Sequence, residues 1–364
     1  MFAPLLAIAL TAEPPKIVKP VSLHAVTANS IVVDAEFDRP CVPEVTIRQD
    51  LPNSDFAIQS FAGPSARTHW TWTVKVPWNT GTKFKILADE ASAAGSVPPL
   101  PVAGAKTPFT FVVVGDARDH AKWAELARAI AEKNPRFVLD TGDNVERDKP
   151  DDWRDYYVAG QSLFANVPFF AVRGNHDQGT TFAEYNPAPP TGIGPSTYAF
   201  TYGNAGFLAI DSNDFANPKQ LEFASKALLE MSGGPLFVFQ HHPLYSCGIH
   251  GDSQKMQMAF QALFEKAHVT VDFAGHDHDL IEWKPINGVH YVVSGGGGTV
   301  TYPVVHCGDQ PFAKQSFGFV LVTVDGAKVS MKFFDEHGIE LHTSAPMQAS
   351  GPSVPAIDLT KLAH

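Results

Sequence analysis

Short apolar runs alternating with helically spaced apolar residues organise the chain from residue 107 onward. Phe109 to Val114 is an almost continuous apolar run, as expected of a strand covered on both faces, and it ends in Gly115-Asp116. Trp123, Leu126, Ala127 and Ile130 then recur at helical spacing, with Asp119 placed as N-cap and Pro135 just past the end. That predicts one strand-helix unit. Phe137 to Leu139, Phe169 to Val172, Phe207 to Ile210, Leu236 to Phe239 and Val269 to Phe273 repeat the strand pattern. Leu221, Ala224 and Leu228 line one intervening helix; Met256, Phe260, Leu263 and Phe264 line another. From Val289 strands dominate again, at Val289 to Val293, Phe319 to Val324 and Val329 to Phe334, the last two joined by an Asp325-Gly326 hairpin turn.

The N-terminal part reads differently. Ser30 to Val33, Glu44 to Ile47 and Thr71 to Val76 are short runs rich in β-branched and aromatic residues, separated by Pro, Asn and Gly. They predict a small all-β sandwich of the immunoglobulin or fibronectin type over 17–90, followed by a linker rich in small residues at 91–106. The main domain is then expected at 107–343 and an extended tail at 344–364. Trp70 and Trp72 are expected to fill the sandwich core, with glycan binding as the weaker reading.

Composition narrows the class. The 364 residues are 44% hydrophobic and 18% charged, as in an ordinary globular protein, and carry a net charge of −11, with no basic face to make a nucleic-acid footprint. Residues 1–13 resemble a secretory leader, with an apolar run too short to span a bilayer and small residues before a charge, although a cationic start is missing. The expectation is a secreted or periplasmic protein without a membrane span. In that setting one disulfide is permitted, and Cys247 with Cys307 is the expected pair, leaving Cys41.

Most of the strand ends carry the same kind of chemistry. Asp116, Asp143 in Asp140-Thr141-Gly142-Asp143, Asn175 in Gly174-Asn175-His176-Asp177, His241 in His241-His242-Pro243, and His276 and His278 in Gly275-His276-Asp277-His278 all follow predicted strands. Loops at that edge of an open sheet converge on one crevice. Carboxylate, amide and imidazole donors together suit hard to borderline divalent cations, and the set provides two adjacent sites sharing one carboxylate. A shared Asp holds two ions ~3.5 to 4 Å apart, where both polarise a phosphoryl group and lower the pKa of water.

Taken in order, these five blocks resemble the signature blocks of the calcineurin-like metallophosphoesterases, and the β-rich N-terminal region makes the purple acid phosphatase branch the nearest likeness. The resemblance implies a four-layer α/β (α+β) fold, two mixed sheets flanked by helices. It implies two metal ions, Fe, Zn or Mn, and hydrolysis of a small phosphate ester by hydroxide generated at the metals. Asp143 would bridge the ions; Asp116 and His278 would complete the first site, and Asn175, His241 and His276 the second. His176 would steady the phosphate or protonate the leaving oxygen, Asp177 would orient the His176 ring, and His250 would face the substrate.

Two positions depart from the family pattern. Arg118 stands where many relatives have histidine, and Glu146 where purple acid phosphatases have a tyrosine ligand. Glu146 either coordinates as a carboxylate or leaves the first site one protein ligand short. Arg118 either grips a phosphate oxygen or pairs with Asp119 or Glu146. These departures motivate the competing reading, a non-catalytic, metal-containing extracellular binding or adhesion protein. Gly295 to Gly298 are expected to let the backbone approach the site or to form a turn, and Asp211-Ser212-Asn213 to cap its loop. His24, His69, His290, His306 and His337 match no block and are read as structural or surface residues.

Overall fold

The computed structural model describes residues 13–25, 30–50, 56–62, 65–75, 81–305 and 308–349. The leader-like stretch through residue 12 and the tail beyond 349 lie outside the described residues. Among the described residues no helix is long and apolar enough to cross a membrane.

Two large mixed sheets face each other. The first runs Glu340–Thr343, Lys328–Phe334, Phe319–Asp325, Phe109–Val114, Val138–Asp140, Phe169–Ala171, Ile17–His24, Ser30–Cys41 and Arg67–Lys75, with Met347–Gln348 pairing on Lys328–Phe334. The second runs Gly192–Gly194, Thr197–Tyr202, Ala205–Ala209, Leu236–Phe239, Val271–Ala274, His290–Ser294, Leu280–Glu282 and Phe312–Lys314. The strands that deliver the five blocks are parallel within each sheet, so their loops emerge on one side.

The apolar alternation explains the layers. Phe109, Phe111 and Val113 point into the space between the sheets, where they meet Phe207, Phe237 and Phe273, while Val112 and Val114 pack outward with Trp123, Leu126 and Ile130. The Phe111 ring lies 5.3 Å from Phe207 and 5.1 Å from Phe237, both edge-on, the arrangement aromatic quadrupoles favour. On the far side Leu208, Val238 and Tyr291 pack with Phe223, Leu228, Phe260 and Phe264. The order helix, sheet, sheet, helix is the expected four-layer fold.

Local signals for the helices hold where they were strong. Asp119 caps His120–Glu132 by accepting from the N–H groups of Ala121 and Lys122, and Pro218–Glu230 buries Phe223, Ala224 and Leu228. The helix expected around Phe260 contains a π-helical segment, Gln257–Gln261. Helices Pro150–Ala159 and Thr181–Tyr185 were not anticipated; Trp153, Tyr156, Tyr157 and Tyr185 anchor them by an aromatic cluster rather than by a long apolar stripe.

The N-terminal strands do form two sheets packed face to face, the second being Phe56–Ala62, Glu44–Asp50, Thr82–Ala88 and Ala91–Val97. Trp70 and Trp72 stack in their core at 5.7 Å. Three expectations are corrected. The linker placed at 91–106 begins with a strand, Ala91–Val97, which pairs along Thr82–Ala88 through a turn at Asp89 (φ 51°). Its residues are small because space is: a Cβ on Gly95 would lie 2.1 Å from the Ala165 carbonyl oxygen and 2.3 Å from the Phe84 ring. The sandwich is also joined edge to edge with the main domain, since Ile17–His24 pairs in parallel with Phe169–Ala171 at His24 and Phe169. The tail, expected to lack structure of its own, instead starts with a short strand that buries Met347.

Candidate metal centre

Three of the loop residues adopt left-handed backbone where the strands end: Asp116 (φ 65°), Asp143 (φ 58°) and His276 (φ 71°). Asp tolerates this region better than most residues, and such strain concentrates at functional sites. The loops are tied to one another through the backbone, Asp116 N–H to Gly142 O at 2.8 Å and Gly275 N–H to His241 O at 3.0 Å. Glycine is required at the closest approaches. A Cβ on Gly174 would fall 1.9 Å from Asp143 Oδ1, and one on Gly295 would fall 2.1 Å from the Asp277 carbonyl and 2.9 Å from Asp116 Oδ2.

His241 sits at the centre. Its Nδ1 donates to the Thr141 carbonyl at 2.9 Å, so Nε2 carries the lone pair and turns it inward. That lone pair faces Asn175 Oδ1 at 3.0 Å, His276 Nδ1 at 3.1 Å and Asp143 Oδ2 at 3.6 Å. Burial pushes the His241 and His276 pKa values down, so both rings are neutral, the form that ligates metal. Asp116 is buried; desolvation, partly offset by His278, raises its pKa to about 6. Its Oδ2 accepts the His276 N–H at 2.9 Å, and its Oδ1 faces His278 Nε2 at 3.5 Å.

Buried carboxylate, amide and imidazole lone pairs aimed at one another are unfavourable alone and become favourable around a cation. Ligand atoms of Asp116, Asp143 and His241 all lie within 4.8 Å of one another, as do those of His241, His242 and His276. The donor set fits a metal ion.

Arg118 lies beside this cluster, its side chain 10% exposed. Its Nη1 is 2.7 Å from His176 Nε2 and 3.1 Å from Glu146 Oε2, and its Nη2 is 3.1 Å from His278 Nε2. His176 and His278 use their Nδ1 atoms on the carbonyls of Glu146 and Val300, at 3.1 and 2.8 Å. The exposed His250 ring packs 4.2 Å from that of His276.

Residues 109–280 match the family model of the calcineurin-like phosphoesterases. The chain carries a calcineurin-like phosphoesterase domain. It is similar to tartrate-resistant acid phosphatase type 5 of Rattus norvegicus, 25% identical over 293 residues that span 65% of this chain and 90% of the relative. It is similar too to purple acid phosphatase 4 of Arabidopsis thaliana, 24% identical over 280 residues, 64% of this chain and 82% of that one. The fold is that of the purple acid phosphatase from yellow lupin seeds, with a TM-score of 0.76 at 15% identity over 91% of this chain and 74% of the other. In sequence and fold the chain is thus similar to purple acid phosphatases, and the non-catalytic reading is not favoured.

Within the phosphoesterase domain the expected donors Asp116, Asp143, Asn175, His241, His276 and His278 meet in one pocket. One expectation changes, and two alternatives are resolved. Asp177 does not orient the His176 ring; its Oδ2 accepts the backbone N–H groups of Asp143 and Gly174. Glu146 is 66% exposed and pairs with Arg118, outside both groups of metal-capable ligand atoms. Arg118 pairs with Glu146, as its alternative reading held. Asp211 accepts from Asn213 N–H at 3.1 Å, as expected of a cap, and also pairs with Arg173.

Sequence reading missed three contributors. His242, passed over for its neighbour, contacts Ser212 Oγ at 2.8 Å and belongs to the His241 and His276 group. Tyr302 stacks on His278 at 4.0 Å. Asp277 holds the His250 loop, accepting from Ser246 Oγ at 2.5 Å and His250 N–H at 3.0 Å. Only His242 had a signal, its adjacency to His241 before Pro243. Cys247 is disulfide-bonded and Cys41 is free; Cys307, the expected partner, lies outside the described residues.

Proposed function

We propose that this protein hydrolyses phosphate esters at a metal centre built on Asp143. The observation that carries the reading is the inward lone pair of His241 among the oxygens of Asn175 and Asp143 and the Nδ1 of His276. With Asp143 between them, Asn175, His241 and His276 would hold a cation on one side, and Asp116 and His278 would face a second cationic position on the other. A cation bound there supplies Lewis-acid polarisation of the phosphoryl group and a lower pKa for the attacking water. Arg118 and His176 line the place of the phosphate oxygens, and the guanidinium fork matches two of them. His250, exposed beside His276, is the proton donor to the leaving oxygen, with His176 steadying the group being transferred.

An extracytoplasmic setting is part of the proposal, supported by the leader-like start and the disulfide-bonded Cys247. The test replaces Asp143 with Ala and assays aryl phosphate monoesters and bis-aryl diesters with Mn, Zn and Fe supplied in turn. Turnover should fall to background while far-UV circular dichroism is retained. Unchanged turnover would overturn the assignment.

A further inference from the structure

We infer that the guanidinium of Arg118 holds one of the two cationic positions itself, so that the centre takes a single metal ion per chain, at His241. The inference rests on the reading of the pocket as a metal centre and concerns how it is filled. An imidazole nitrogen has one in-plane lone pair, which serves either an N–H donor or a metal. His278 has committed Nδ1 to Val300 O, and its Nε2 faces Arg118 Nη2 at 3.1 Å and Asp116 Oδ1 at 3.5 Å; Arg118 Nη1 lies against the His176 ring, 2.7 Å from Nε2 and 3.2 Å from Nδ1. The imidazole nitrogen that would ligate an ion on that side is taken by Arg118.

Arg118 is built in rather than resting on the surface. Its backbone N–H donates to Thr299 Oγ1 at 3.2 Å, and Thr299 Oγ1 donates to the Asp116 carbonyl at 2.7 Å, tying the arginine to the loop that presents Asp116. A guanidinium stays charged at every working pH. A second divalent ion on the His278 side would sit beside this fixed cation. Among the described residues both groups of metal-capable ligand atoms include His241, and neither includes His278 or His176.

The experiment strips the full-length protein with chelator, reloads it with Mn(II), removes excess by gel filtration and measures metal per chain. Wild type should hold one ion, with the hyperfine-split paramagnetic resonance spectrum of an isolated Mn(II), and should regain ester hydrolysis in a metal titration that fits a single site. Arg118→His should hold two ions with an exchange-coupled spectrum; Arg118→Gln, which keeps the length but not the charge, should also admit a second ion, more weakly. Wild type holding two coupled ions while hydrolysing esters would overturn the inference and leave the phosphoesterase reading intact. Wild type that hydrolyses esters without retaining any ion would overturn both the metal centre and this inference.

Discussion

The carboxylate of Asp177 reaches back to the loop of Asp143, accepting that residue's backbone N–H at 2.6 Å and the Gly174 N–H at 3.1 Å. It therefore fixes two of the site's loops against each other by their backbones, at a position fully removed from water. Asp177→Ala leaves two buried N–H groups without an acceptor, at about 1 to 3 kcal/mol for each. Urea unfolding should show that loss, and hydrolysis should fall with it as Asp143 shifts.

Metal removal should destabilise the whole fold. The lone pairs around His241, and those of Asp116 Oδ1 and His278 Nε2, are compatible at close range only around a cation. A ligand that binds the folded chain alone stabilises it by about 2.7 kcal/mol at a hundred times its dissociation constant. Thermal melting in chelator should therefore fall below that in Mn(II), and Asn175→Ala should narrow the gap.

Gly295→Ala should damage the site from outside its ligand set. The new methyl would overlap the Asp277 carbonyl and press on Asp116 Oδ2, displacing the oxygen that accepts the His276 N–H. Overpacking of this kind costs about 1 to 3 kcal/mol. Melting temperature and metal content should both drop, whereas Gly326→Asn, in a hairpin turn with open space and φ 58°, should change neither.

A pH dependence should arise far from the metal centre, in the buried polar layer under the N-terminal strands. His69 Nε2 lies 2.5 Å from Asp34 Oδ2 and His69 Nδ1 3.0 Å from Glu184 Oε1. Burial opposes charging of the ring, yet Asp34 outweighs it and holds the His69 pKa above its ordinary value. A raised histidine pKa stabilises the fold fully below about 6.5 and is lost as pH climbs through the folded value. Asp34 is shifted the opposite way: burial alone would raise its pKa, but Lys19 and His69 hold it below the usual carboxylate range, and that contribution is lost only in acid. Urea unfolding at pH 5.5 and 8.5 should show the His69 contribution in wild type, and its absence in His69→Gln.

Much of the fold was legible along the chain. Phe109–Val114, Leu236–Phe239 and the Asp325-Gly326 hairpin lie where apolar runs and turn residues placed them, and His120–Glu132 begins at the cap Asp119. The site blocks were legible for the same reason: each directly follows a strand, and parallel strands carry their ends to one edge. Pro150–Ala159 and Ala91–Val97 were not, because an aromatic cluster and a close neighbour, rather than a local period, hold them in place.

The sequence by itself determined the strand order of donors, their chemical kinds and the left-handed turns that Gly and Asp permit, since these depend on a residue and its immediate neighbours. Only the tertiary structure decided which groups pair. His24 matched no block and read as a structural or surface residue, yet with Lys19, Ser22 and Asp34 it forms a buried polar network that Tyr157 from the main domain helps to cover. Asp177, adjacent to His176, bonds instead to the backbone of Asp143, 34 positions away, and of Gly174, and Arg118 meets His278 from 160 positions away. Local pattern states which way a side chain points; what lies opposite depends on contacts between segments that the pattern does not encode.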